Sequence, residues 1–193
     1  MSRTVLSLGA LVFGVTVAAA PVPKTLKKRE PLLPLAIGAK WEYVSVTNHN
    51  QIVEIREITA VEEKDGVVIA TQKNNNLTQI FRATAEEVVV TASNGVTYKN
   101  PRVILKAGMK EGDSWEWNNG GSIETRTVGQ AEKVSTPAGE FTATPMTYNN
   151  GNQGDTITVW YADQVGLIRV DYDNQPYQVL KAFTPGKEKE AKK

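Results

Sequence analysis

The chain spells one pattern twice. Gly38, Trp41, Glu42 and Tyr43 return as Gly112, Trp115, Glu116 and Trp117, and Val53-Glu54-Ile55-Arg56 returns as Ile123-Glu124-Thr125-Arg126. Val61, Gly66 and Val68 match Val134, Gly139 and Phe141; Phe81, Ala83 and Val88 match Trp160, Ala162 and Leu167. Leu105-Lys106-Ala107 closes the first round as Leu180-Lys181-Ala182 closes the second. The matches keep their order at offsets of 70 to 79 positions. A repeat of that length predicts two tandem copies of one unit, over 35–107 and 108–183.

The unit reads as β throughout. Runs rich in β-branched and aromatic residues, such as Trp41–Thr47, Ile52–Val61, Ile123–Val134 and Thr156–Ala162, are expected strands, about six per copy. Asp65-Gly66, Asn94-Gly95, Pro137-Ala138-Gly139 and Asn149-Asn150-Gly151 are turn signals between such runs. Helical periodicity is lacking over any three turns, and Ala83–Glu87 is the single short stretch that could form a helix. In Trp41–Thr47 and Ile123–Val128 polar residues fall on both faces of the strand, which does not suit a sandwich with one dry side. The expectation is all-β: a curved antiparallel sheet, half-barrel-like, with a concave face partly apolar and partly open.

The ends differ from this body. Arg3 precedes an apolar and small-residue run from Val5 to Val17, and Ala18-Ala19-Ala20 offers small residues for cleavage. Residues 1–19 are therefore expected to be a signal peptide, too short in its apolar run for a spanning helix. With the signal removed, no transmembrane segment is expected. Residues 20–34, with Pro21, Pro23, Pro31 and Pro34, form an expected linker, and 184–193 an expected disordered basic tail. Of the chain's 193 residues none is cysteine, so no disulfide, thiol catalysis or thiolate metal site is available. The stretch Leu35–Phe183 carries 13 Lys/Arg against 18 Asp/Glu, and this acidic balance argues against a nucleic-acid surface.

Catalytic candidates are sparse. His49 is the sole histidine and sits in an evident turn, so it suits neither a zinc site nor a Ser-His-Asp arrangement, and no G-x-S-x-G supplies a nucleophile. Glu62-Glu63 and Glu86-Glu87 are chain neighbours that point to opposite strand faces, whereas a glycosidase needs two carboxyls facing across a groove. Asp171 and Asp173 share a face and could form a weak calcium turn. No cofactor or metal is expected. Asn76-Leu77-Thr78 matches a glycosylation acceptor, a pattern frequent by chance.

The repeat-matched aromatics carry the remaining signal. They read either as two core clusters or as a line along a concave groove. Trp41 and Trp115, each opening a repeat after a glycine turn, are expected in the core. Tyr43, Phe81, Trp117 and Trp160 are the candidate ligand-binding residues, with Trp160 favoured because Thr158 and Ala162 would leave room beside it.

The string Val134-Ser135-Thr136-Pro137-Ala138-Gly139-Glu140-Phe141, followed by Trp160-Tyr161-Ala162-Asp163-Gln164-Val165-Gly166-Leu167-Ile168, resembles the DUF3108-like exported bacterial domains, including proteins labelled TapB. That resemblance implies a curved antiparallel sheet similar to the lipoprotein-carrier half-barrels, which cradle acyl chains, and brings no catalytic residues. The leading expectation is a non-enzymatic envelope protein, periplasmic or secreted, binding an apolar or amphipathic ligand or a partner protein. Lipid, glycan and envelope protein all stay open as partners. The alternatives are an assembly protein with a self-filled interior and a pairing edge strand, and a carboxylate hydrolase. Cleavage after Ala19 predicts that N-terminal sequencing of the exported protein reads Ala-Pro-Val-Pro; a retained Met1 would exclude it.

Overall fold

A computed structural model describes residues 33–49, 51–118, 120–149 and 154–187; the expected signal peptide and most of the expected linker lie outside them. The described residues form thirteen antiparallel strands and no helix. The first half runs β1 (Lys40–Ser45), β2 (Ile52–Lys64), β3 (Val67–Asn74), β4 (Leu77–Ala83), β5 (Glu87–Ser93) and β6 (Val96–Lys106). The second runs β7 (Ser114–Asn118), β8 (Ile123–Val128), β9 (Glu132–Thr136), β10 (Gly139–Asn149), β11 (Thr156–Ala162), β12 (Gly166–Tyr172) and β13 (Gln175–Thr184). The short helix considered at Ala83–Glu87 is instead a bend. Thr84 Oγ1 accepts from the N–H groups of Glu86 and Glu87, both at 3.2 Å, and satisfies the turn without a helix.

Strand order is β6-β5-β4-β3-β2-β1-β13-β12-β11-β10-β8-β7, with β9 also pairing β10. Each half is a meander, and β1 joins β13 where the halves meet. Tight turns set the register: Asp65-Gly66 and Asn94-Gly95 both take positive φ at both positions, as two-residue hairpins between twisted strands require. Bulges in β2, β5, β6, β12 and β13 add local bend and twist. Curvature therefore goes further than a half-barrel. The edge strands β6 and β7 come face to face without a backbone ladder, and side chains span the gap. Trp117 Nε1 donates to the Asn100 carbonyl at 2.8 Å, Trp115 Nε1 to that of Val103 at 3.2 Å, and Asn100 Nδ2 to that of Asn118 at 3.2 Å. The result is a nearly closed barrel.

Inside, aromatic side chains tie strands that are not neighbours. Trp41 Nε1 donates to the Val165 carbonyl at 2.6 Å and Tyr43 Oη to that of Leu167 at 2.9 Å. Both side chains reach over β13, which is possible only where the concave face is tightly curved. Trp41 is 1 % exposed and packs against Phe183, the rings tilted at 32° with centroids 5.4 Å apart.

The hairpins β1–β2 and β7–β8 share a register: Trp41 opposes Arg56 and Tyr43 opposes Glu54, as Trp115 opposes Arg126 and Trp117 opposes Glu124. Beyond them the halves diverge. The expected single strand Ile123–Val134 breaks into β8 and β9 at Gly129–Ala131. Pro145 on the facing strand lacks an N–H, its carbonyl accepts from Gly129 at 2.9 Å, and a Cβ on residue 129 would sit 3.0 Å from the Pro145 ring. Phe81 and Trp160, matched in the sequence, face opposite sides of the sheet: Phe81 lines the interior and Trp160 does not.

The first and last described stretches are tied into the body. Leu33, inside the expected linker, is buried in the core. Lys187 N–H, inside the expected tail, donates to the Ile37 carbonyl at 2.9 Å. Truncating Trp41 to Ala removes both its packing and the support of the Val165 carbonyl. The W41A variant should lose about 3–5 kcal/mol in urea unfolding. W117A, on the half-buried seam, should lose less.

Candidate functional site

The barrel interior is not filled. A cavity of about 420 Å³ runs down its axis, within the range of small-molecule sites. Tyr172 and Tyr177, 43 % and 49 % exposed and set edge to face with centroids 5.1 Å apart, mark its mouth. At the opposite end Leu33, Phe81 and Ile104 are buried and form an apolar floor.

Between mouth and floor the wall is charged, and the strand alternation that lines a barrel explains which charges these are. Glu54 and Arg56 on β2 point inward two residues apart, as do Glu124 and Arg126 on β8. Arg56 Nη2 donates to Glu54 at 2.8 Å, and Arg126 Nε to Glu124 at 2.6 Å. Asn74 Nδ2 and Gln178 Nε2 also donate to Glu54, the latter at 3.0 Å. Arg102 reaches from β6 across the seam to Glu124, with Nε at 3.3 Å from Oε1 and Nη2 on the other oxygen. Its guanidinium lies between two rings, 5.2 Å from the Trp117 centroid and 5.4 Å from that of Tyr148. Arg126 covers the other approach to Tyr148 at 4.4 Å.

Three guanidiniums face two carboxylates here, so the interior retains one positive charge. Burial pushes the Glu54 carboxyl up, but the Arg56 charge and the hydrogen bonds from Arg56, Gln178 and Asn74 outweigh it and hold the group below its ordinary range. Burial pushes the phenols of Tyr43 and Tyr161 up despite nearby guanidiniums, so both stay protonated donors. Two carboxyls do converge on the interior, yet each is held by arginine. The hydrolase geometry of a free acid opposite a free base is not formed by them.

Of the four aromatics singled out in the sequence, Tyr43 and Phe81 line the cavity. Trp117 lies behind Arg102, and its indole is committed to the seam. Trp160 faces out, with Nε1 on Glu132 Oε1 and the Arg169 guanidinium 4.5 Å from its ring. It is Val159 and Tyr161, its strand neighbours, that line the cavity. Six of the seven β11 residues are buried, on both faces, so alternation held no clue to the inner one. Arg102, Tyr148, Tyr161 and Gln178 were not anticipated as site residues. Asp171 binds Arg169 through both oxygens, at 2.8 and 2.7 Å, and Asp173 accepts the Thr156 N–H at 2.8 Å, so that turn forms no calcium cage. No metal-binding cluster occurs among the described residues, and His49 lies exposed in its turn.

No protein-family model matches this chain, and no curated protein does. Two solved structures are similar to it. A Bacteroides fragilis protein, named as exported and as having a YmcC-like fold, superposes with a TM-score of 0.53 at 15 % identity, over 78 % of this chain and 97 % of that one. A Parabacteroides distasonis protein, named as a lipoprotein, gives 0.49 at 14 % identity, over 79 % and 98 %. The first likeness shows a shared fold.

The Glu54 network makes a pH prediction. Its folded pKa lies below the unfolded value of about 4.3, so its contribution is complete above that value and is lost as pH falls through the folded one. Melting temperature should fall in acid, and Glu54→Gln should cost most at neutral pH. The gap between wild type and variant should close as pH is lowered past the carboxylate range.

Proposed function

We propose that this chain is an exported, non-enzymatic binding protein that holds one small amphipathic molecule inside its barrel. The observation that carries this reading is the cavity of about 420 Å³, apolar at its floor and charged at mid-height. A self-filled scaffold would place side chains in that volume, because protein interiors close-pack wherever nothing else is to be accommodated. A purely apolar ligand fits poorly, since it would strip water from three guanidiniums without replacing their hydrogen bonds. Export rests on the Arg3 to Ala20 leader pattern, and kinship with the DUF3108-like and TapB-labelled domains rests on the two quoted strings. Lipid is the partner class this cavity suits best; a glycan would want more aromatic platforms than Tyr172 and Tyr177, and an envelope protein would not enter it.

Pairing with a partner through an open edge is less favoured. The β6 and β7 edges already face each other and are bridged by Trp115, Trp117 and Asn100. The test is native mass spectrometry of the protein purified from its own host. A small-molecule adduct that vanishes on denaturation is the expected result. A bare mass, joined with failure of the refolded protein to take up any amphiphile, would leave the scaffold reading in its place.

A further inference from the structure

The charged belt does more than tolerate a ligand; it specifies one chemical group. We infer that the bound molecule carries an oxyanion, a carboxylate or a phosphate monoester, seated between Arg56, Arg126 and the Tyr161 hydroxyl, with its apolar chain directed to the floor. This inference rests on the cavity reading above.

Four observations converge. Arg56 lines the cavity, and its Nε is the one buried side-chain polar atom among the described residues without a hydrogen-bond partner. Buried donors are nearly always satisfied, so an unmet guanidinium nitrogen beside a cavity points to an acceptor that arrives with a ligand. Arg126, 2 % exposed, bonds Glu124 through Nε and lines the cavity as well. Tyr161 lines the cavity in the field of Arg56, Arg102 and Arg126 together, and burial keeps its phenol protonated. Finally, three guanidiniums against Glu54 and Glu124 leave a single positive charge unmatched, the complement of one carboxylate or of the first charge of a phosphate monoester. A cationic head would be repelled. A neutral head would leave that charge buried and uncompensated, which is costly in a low-dielectric interior.

The geometry also sets the orientation. Arg56 opposes Trp41 in mid-barrel, whereas Leu33, Phe81 and Ile104 lie beyond it at the closed end. A head group held by Arg56 and Arg126 therefore leaves its chain pointing down among apolar side chains, away from Tyr172 and Tyr177.

The experiment uses the mature chain, freed of bound material by unfolding and refolding, titrated calorimetrically with decanoate, decyl phosphate, decanol and decyltrimethylammonium below their micellar concentrations. One or both acids should bind at least about tenfold more tightly than decanol, as expected for charge-assisted bonds, and the ammonium should not compete. The stronger acid identifies the carboxylate or the phosphate source. Arg56→Gln should lose about tenfold for the acid and leave decanol unchanged. Tyr161→Phe keeps shape and packing and should lose a few-fold, again for acids alone. Arg126→Gln should behave like Arg56→Gln if it folds, but its pairing with buried Glu124 makes the other two variants the deciding ones. Equal binding of decanol and decanoate, unaltered by Arg56→Gln and Tyr161→Phe, would overturn the oxyanion and leave the cavity reading intact. Binding of none of the four would overturn both.

Discussion

The contact between Arg102 and Glu124 joins the two problems this barrel has to solve. It runs from β6 to β8 across the β6–β7 seam, where the sheet closes without a backbone ladder, and it places a second guanidinium on a carboxylate already held by Arg126. Edge strands that face each other unpaired are a liability, and here side-chain bonds from Trp115, Trp117 and Asn100 replace the missing ladder. Closure in turn shields the belt of charges from much of the bulk water. Without it, Glu54, Arg56, Glu124 and Arg126 would be ordinary surface pairs of small energetic consequence. Enclosed, they become a polar lining whose partners must be complete or be completed by something else.

Curvature is produced locally and used globally. Bulges along β2, β5 and β6 bend the sheet, and Trp41 and Tyr43 then lock the bend by reaching backbone carbonyls two strands away. The same inward row of β1 that anchors the wall also lines the cavity, so the side chains that hold the barrel together also shape its interior. Burying charged pairs rarely stabilises a fold relative to apolar packing. Their presence at mid-barrel, above a floor of Leu33, Phe81 and Ile104, is what the proposed ligand accounts for and strand packing alone does not.

Much of the architecture was legible in the sequence because it follows from local chemistry. Asp65-Gly66 and Asn94-Gly95 can make the positive-φ turns that hairpins need, and β-branched runs between them could only be strands. Polar residues on both faces of Ile123–Val128 excluded a one-sided sheet, and Glu124 and Arg126 are indeed the inward ones. The site was less legible. Trp160 looked like a groove residue from its small neighbours Thr158 and Ala162, yet β11 is covered on both sides and its inner face belongs to Val159 and Tyr161. A charged residue such as Arg102 carries no mark in sequence that distinguishes a barrel lining from a solvated edge.

By itself, then, the sequence determined an all-β antiparallel chain, the turn positions, the absence of disulfides, and Glu–Arg pairs on shared strand faces, since each depends on neighbours within a few residues. The tertiary structure alone decided that the sheet curls until β6 meets β7, that Leu33 is buried against the cavity, and that three arginines from β2, β6 and β8 line it. The physical reason is range. Strand alternation says which residues share a face, but only closure decides whether that face looks into water or into an enclosed volume where an unmatched charge calls for a partner.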